Sequence, residues 1–390
     1  MVICAAFICA NLGAVRIVLD YRPALRQRSG VGEFVHGLAG ALAASPGADQ
    51  FAVLSTSWKD RPDTRLAVEL PGVQIIDRRI PVRPLTWAWN RLEWPPVEWL
   101  TGGADVIHAQ TPVLIPASRA AQVITIHDLD FLARPDSRPA EMRRDFARLV
   151  RSHAARADHI VVSSRYAAAE VSRELSISAD RITVCSPGAP AWTSAIARAR
   201  NGEAQGESLL FVGTLESRKN IAGLLEGYAR LRTHRPDAPP LVLIGRATDA
   251  ELHLLQRAHE PPLAGHVTVA GYVSEDERRR AYRTARMLIL PSLEEGFGLP
   301  VLEAMACGVP VVVSNRGSLP EVAGEAARPI DPANPDALAA EIERLLEVDA
   351  ARRAIADGLT RAARYTWEAA ARAARDAYRQ AVTRRAGRAS

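Results

Sequence analysis

Lysine is almost missing from this chain. Of 49 basic residues only Lys59 and Lys219 are lysines, so a lysine inside a motif stands out. Cysteine is scarce as well. Cys4, Cys9, Cys185 and Cys307 form no C-x-x-C pair and no Cys/His ligand spacing, which argues against a zinc module and a disulfide framework and fits a reducing cytoplasm. No stretch approaches the ~18 consecutive apolar residues of a membrane span. The first fourteen residues, MVICAAFICANLGA, are apolar but lack the basic start of a signal peptide. Because a strand pattern begins abruptly at Val15, they read as an over-long start, a short membrane-touching segment being the alternative. No G-x-x-x-x-G-K-[ST] occurs, which removes P-loop nucleotide hydrolysis. No repeat of about 20–50 residues occurs either, which removes solenoids and propellers.

What is present is an ordinary globular composition, 48% hydrophobic and 24% charged over 390 residues, enough for two domains at roughly 100–200 residues each. The net charge of +5 is spread along the chain, which suits an anionic small molecule or membrane surface better than a dedicated DNA binder.

Short β-branched runs alternate with helical patterns: Val15–Asp20, Phe51–Thr56, Val73–Arg78, Asp105–Ala109, Gln122–His127, His159–Ser163 and Ile182–Cys185. A second series comprises Ser208–Gly213, Leu241–Gly245, Val267–Ala270, Met287–Pro291 and Pro310–Ser314, with helices near 219–233, 248–258, 275–285, 299–307 and 335–347. Strand–helix alternation predicts parallel sheets, so an α/β fold of two doubly wound Rossmann-like domains is expected, with ligands in a cleft at the carboxyl ends of the strands. Pro187–Glu207, rich in Ala, Pro, Gly and Gln, reads as the linker and puts the boundary near residue 195, giving domains 1–195 and 196–365. The Ala/Arg-rich tail reads as two helices without a core of its own, and its last part, 366–390, is expected to pack back on the first domain.

Five blocks are candidates to carry chemistry. In Phe211-Val-Gly-Thr-Leu-Glu-Ser-Arg-Lys-Asn220 a strand ends at Gly213 and Arg218-Lys219 stand at a helix opening, where they oppose the helix dipole; two cations and free amides make a cradle for a pyrophosphate. In Pro291-Ser-Leu-Glu-Glu-Gly-Phe-Gly-Leu-Pro300, Glu295 lies in a Gly-containing turn and Glu303 inside the helix that follows, so both carboxylates can face one ligand from opposite ends. A capping acid plus an exposed glutamate explains either alone, not the flanking glycines and proline. Arg28-Ser-Gly-Val-Gly-Glu-Phe34 opens a helix on Gly30 and Gly32 but fails as a dinucleotide fingerprint, having only G-x-G. Val123-Ile-Thr-Ile-His-Asp-Leu-Asp130 places His127 and Asp128 at a strand's carboxyl end; a strand-ending Asx turn with a hydrogen-bonded His is the alternative, and D-x-D is too short a pattern to imply a metal. Finally, Trp87, Trp89, Trp94 and Trp99 crowd into Pro81–Leu100 beside Arg83 and Arg91, as a membrane interface, a sugar-stacking wall or a buried amphipathic helix.

From Phe211 to about Trp367 the chain resembles the retaining GT-B glycosyltransferases of family 4, through the Gly-Thr-Leu-Glu-Ser-Arg-Lys-Asn turn, Gly271-Tyr-Val and above all Glu295-Gly-Phe-Gly-Leu-Pro-Val-Leu-Glu303, the E-x7-E motif. Asp20-Tyr-Arg-Pro, Ser29-Gly-Val-Gly and Thr125-Ile-His-Asp-Leu look like its mannosyltransferase-type members, which build bacterial surface polysaccharides. The resemblance implies that Arg218 and Lys219 bind the diphosphate of a nucleotide sugar, Glu303 the ribose hydroxyls and Glu295 hydroxyls of the donor sugar, with backbone amides from Gly298 and Leu299. It adds Tyr272 and Val273 to the donor site, the Gly32 amide to the phosphate, and His127 to the sugar pocket and the catalytic set of His127, Arg218, Lys219 and Glu295. Gly-Val-Gly-Glu-Phe stands where Gly-Ile-Gly-Arg-Tyr is commoner, so a basic contact is missing unless Arg28 replaces it. The implied activity is hexosyl transfer, mannose from GDP-mannose, to a lipid-linked or polysaccharide acceptor. No metal or other cofactor and no nucleic acid is expected, and the setting is cytoplasmic with peripheral inner-membrane contact. The alternatives are a UDP-glucose or UDP-N-acetylglucosamine donor, or a non-catalytic nucleotide-sugar binder.

Overall fold

The computed structural model describes residues 13–25, 30–45, 47–133, 140–247 and 255–389. The chain divides into two units: one runs up to Gly188 and takes in Thr366 onward, the other is Ala189–Tyr365.

The first unit holds seven strands: β1 (Arg16–Asp20), β2 (Gln50–Ser57), β3 (Gln74–Ile80), β4 (Val106–Ala109), β5 (Ala121–Ile126), β6 (His159–Val162) and β7 (Ile182–Val184). Their order is β3-β2-β1-β4-β5-β6-β7, and every adjacent pair is parallel. The second holds β8 (Ser208–Val212), β9 (Leu241–Ile244), β10 (Val267–Gly271), β11 (Ala285–Leu290) and β12 (Val311–Val313), in the order β10-β9-β8-β11-β12, again parallel throughout. The central strands are apolar on both faces, as Ile17-Val18-Leu19 and Leu288-Ile289-Leu290 illustrate, because helices cover both sides of such a sheet. Strand order reverses between β1 and β4 and between β8 and β11, and each reversal opens a crevice at the carboxyl edge.

All twelve expected strands are present, with ends displaced by a residue or two. Pro291 falls outside β11 because it has no N–H to give the ladder. Several expectations need correction. Residues 187–207 are not a plain linker: they contain helix Trp192–Arg200, part of the second unit, and the contact boundary falls after Gly188 rather than near 195. Arg200 at that helix's end is buried, donating to the carbonyls of Gly308, Arg283 and Gln205. The helix expected over 219–233 begins at Ile221. Residues 248–254 of the helix expected over 248–258 lie outside the described residues, as do residues 1–12, Arg28 and Ser29.

The tail forms helices Val348–Ala362 and Trp367–Ala389, and the second belongs to the first unit. Its alanine content has a steric cause: Ala370, Ala371, Ala374, Ala377 and Ala381 form a buried face that lets the helix lie close against its neighbours. Tyr378 on the same helix reaches His108 Nδ1 at 2.8 Å, and Arg375 donates to Asp49 Oδ2 at 2.9 Å.

The tryptophan cluster divides. Trp89 is buried and donates to Pro95 O at 3.0 Å, whereas Trp87, Trp94 and Trp99 are 60%, 53% and 67% exposed. The buried-helix reading holds for Trp89 alone.

Candidate active site

In the second unit the reversal of strand order brings together the loops after β8 and β11. After β8 the chain passes Gly213 and a one-turn 3-10 segment, Ser217–Lys219. Asn220 then turns left-handed and caps helix Ile221–His234, its Oδ1 accepting from Gly223 N–H at 3.3 Å. The two cations therefore precede the helix instead of opening it, while still lying at the positive end of its dipole. The loop after β11 is tied on by Leu293 N–H donating to Arg218 O at 2.7 Å.

Glu295 is the centre of this cluster. Its Oε1 accepts from Lys219 Nζ and, at 2.9 Å, from Ser292 Oγ, while Oε2 lies 3.4 Å from Arg218 Nη1. Arg218 also donates to Glu294 O at 3.3 Å and pairs through Nε with Glu216 at 2.6 Å. Lys219 and Glu295 are each only 6% exposed, so this is no solvated surface pair. Burial by itself would push the Glu295 carboxyl up, but Lys219 and Arg218 outweigh it and hold the group below the usual carboxylate range. Behind it, Ser318 donates both its N–H and its hydroxyl to Glu295 O at 3.0 Å. Gly317 has φ +60°, and a Cβ there would lie 2.7 Å from Glu295 N and O, so only glycine lets the loop pass so close.

Glu303, in helix Leu299–Ala306, has a separate set of partners. Oε2 accepts from Tyr282 OH at 2.7 Å and Oε1 from Arg278 Nη1 at 3.1 Å. Burial raises its pKa, with Arg278 and Tyr282 pulling it back. Among the described residues, Glu295 is held by Lys219, Ser292 and Arg218 and Glu303 by Arg278 and Tyr282, so each has its own device. Gly298 caps the helix with left-handed backbone and Leu299 follows as its first residue. Tyr272, after β10, is 54% exposed with the Arg246 guanidinium 5.1 Å over its ring, and Val273 packs against the second core.

The first unit carries the other expected residues. Gly32 is buried in the first turn of helix Val31–Ala44, whose cap, Gly30, has φ 52°. Phe34, at the position where the family more often has Tyr, is buried core. His127 follows β5, and its buried Nε2 has no hydrogen-bond partner among the described residues; the ring meets Phe34 edge-on at 5.2 Å. Burial pulls its pKa down to about 4 against the opposing charge of Asp128, so the imidazole is neutral near pH 7. Asp128 Oδ1 accepts from Asp130 N–H at 3.3 Å, so the D-x-D pattern is an Asx turn starting helix Asp130–Ala133. At the end of β1, buried Asp20 pairs with Arg22 Nε at 2.7 Å.

Sequence reasoning missed Ser292, Ser318, Arg278, Tyr282 and the pairing of Glu216. Only the i, i+4 spacing of Arg278 and Tyr282 on one helix offered a signal.

Two parallel Rossmann-type units of this strand order match the GT-B fold of glycosyltransferases. The models for "Glycosyl transferases group 1" and "Glycosyltransferase Family 4" match residues 195–359 and 28–191. An O-antigen chain mannosyltransferase B from Escherichia coli is 35% identical over 273 residues, 68% of this chain and 71% of that protein. Among solved structures, a sucrose-phosphate synthase from Thermosynechococcus elongatus aligns with a TM-score of 0.72 at 22% identity, over 97% of this chain and 100% of that one. HepE from Anabaena, in complex with UDP and glucose, aligns at 0.64 and 16% identity, over 93% and 98%. The chain belongs to the family 4 glycosyltransferases and is a hexosyl-transferring enzyme of GT-B fold.

Proposed function

We propose that this enzyme moves a mannosyl residue from GDP-mannose to a lipid-linked or polysaccharide acceptor during assembly of a bacterial surface glycan, retaining anomeric configuration and using no metal ion. The observation that carries the donor site is the cluster of buried Lys219 and Glu295 with half-buried Arg218 at the switch point between β8 and β11. The relative named as an O-antigen chain mannosyltransferase supports the sugar and the glycan.

Charge placement supplies the mechanism. As the C1–O bond to the diphosphate breaks, negative charge grows on the phosphate and positive charge on the anomeric carbon. Arg218 and Lys219 neutralise the first, and Glu295, oriented by Ser292 and Ser318, takes hydroxyls of the sugar beside the second. The acceptor hydroxyl attacks from the side the diphosphate leaves, and its proton passes to the departing phosphate oxygen. Glu303 takes the ribose hydroxyls, and the amides at Gly298 and Leu299 and the side chains of Tyr272 and Val273 complete the donor side. Gly32 and His127 are assigned donor roles on the family resemblance.

Among the described residues no helix is long and apolar enough to cross a membrane. The exposed Trp87, Trp94 and Trp99, with exposed Arg79, Arg83 and Arg91 nearby, support a peripheral contact with an anionic lipid surface.

A thermal-shift comparison of GDP, UDP, dTDP and ADP sugars, with and without EDTA, tests the donor. Ligand at ~100 times its Kd stabilises by about 2.7 kcal/mol. A shift with guanosine conjugates alone, indifferent to EDTA, is expected. A shift with uridine conjugates alone, the kind of ligand seen in HepE, replaces the donor. No shift with any nucleotide rejects the site.

A further inference from the structure

Arg278 and Tyr282 stand about one turn apart on helix Glu275–Thr284 and leave from the same face. They close on one carboxylate, Glu303, each donating to a different oxygen. Tyr282 and Glu303 are buried and the Arg278 side chain is only 15% exposed. Trp192 backs the pair, its ring 5.6 Å from the Tyr282 ring and 5.6 Å from the Arg278 guanidinium. A buried ion pair with a tyrosine hydroxyl on it is a poor way to fill a core, because apolar side chains of the same volume do so without desolvating ions. Two donors aimed at a carboxylate instead control its rotamer and its protonation.

Resting on the reading that Glu303 receives the ribose, we propose that Arg278 and Tyr282 are positioning residues of the donor site, holding the Glu303 carboxylate ionised and in one rotamer so that its remaining lone pairs meet the two ribose hydroxyls. An ionised carboxylate has about four acceptor positions, and the pair uses one on each oxygen. Glu303 must be ionised to accept from both hydroxyls. The groups that face it are Arg278, Tyr282 and Glu275 from the neighbouring helix and Cys307 from the end of its own, with Arg200 beyond Cys307. Burial and Glu275 favour the protonated form, and Arg278 and Tyr282 oppose them. Removing either donor therefore lets Glu303 take up a proton at higher pH.

The test is steady-state kinetics of Tyr282→Phe, Arg278→Met, Arg278→Lys and Glu303→Ala from about pH 5.5 to 8.5, with calorimetric binding of the nucleoside diphosphate. Tyr282→Phe and Arg278→Met are expected to raise the donor KM by about tenfold with kcat within about twofold, the loss of one charge-assisted hydrogen bond. The acid limb of their kcat/KM profiles moves to higher pH, and Arg278→Lys recovers most of both effects. Folded Tyr282→Phe and Arg278→Met with parental KM and pH profile, while Glu303→Ala still weakens nucleotide binding, overturn the positioning role. Unchanged nucleotide binding in Glu303→Ala overturns the donor reading itself. Should Tyr282→Phe fail to fold, Arg278→Met against Arg278→Lys decides by the same readouts.

Discussion

Lys219 is one of two lysines in the chain and is buried against a buried carboxylate, an expensive arrangement unless the charge is used. Lys219→Ala leaves Glu295 without its main partner. We expect kcat/KM to fall by on the order of 10²-fold, about 2.7 kcal/mol of transition-state stabilisation, in assays of the purified enzyme. Gly317→Ala tests the same site without touching a charge. Its left-handed backbone and the 2.7 Å approach to Glu295 mean that a methyl group must displace the loop, at about 1–3 kcal/mol of strain. Turnover should drop at least tenfold with Arg218 and Lys219 intact. Parental rates in both variants would detach the cluster from the donor.

At the scale of elements, two helices act through what they present. Trp367–Ala389 presents a strip of alanines, so packing distance is its specification. Ala374→Leu should cost about 1–3 kcal/mol in urea unfolding through overpacking, and an unchanged midpoint would mean the helix is not held where its alanines are buried. Helix Val82–Leu92 buries Leu85 and Trp89 and exposes Trp87, and Trp94 and Trp99 follow it with ring centroids 5.7 Å apart. Replacing Trp87, Trp94 and Trp99 together by Ser should weaken sedimentation with anionic phospholipid vesicles by about tenfold while leaving nucleotide thermal shifts unchanged. Equal sedimentation of the variant would remove this surface as the lipid contact.

For the molecule as a whole, titration separates the two units. His108, His127, His153 and His159 all lie in the first unit, and burial pulls them to about 3, 4, 4 and 4 from 6.5. Lowered histidines favour the fold fully above the unfolded value of 6.5, and that contribution is lost as pH falls toward about 4. The second unit has a carboxylate of each kind. Glu295, lowered, keeps its contribution until pH falls below 4.5, whereas Glu303, raised, favours the folded state increasingly as pH falls toward that value. Hydrogen exchange followed by peptide between pH 7 and 5 should therefore show protection falling mainly in the first unit. Uniform loss across both units contradicts that division.

Much of this was legible in the sequence. Apolar runs of strand length between helical patterns mark β1 through β12, and glycines and a proline between two glutamates mark Glu295 and Glu303, because burial on both sheet faces and tight turns impose local composition. What composition cannot carry is pairing. Lys219 meets Glu295 across 76 residues of chain, and Glu303 is held by Arg278 and Tyr282, because parallel strand order brings separate loops to one edge. The same limit hid the helix inside 187–207 and the split between buried Trp89 and its exposed neighbours. Element type follows from local period and turn chemistry, so the sequence by itself determined the two doubly wound sheets and the residues worth suspecting. Which charges neutralise one another, and which aromatics meet water, depends on contacts between distant segments, and the tertiary structure alone decided those.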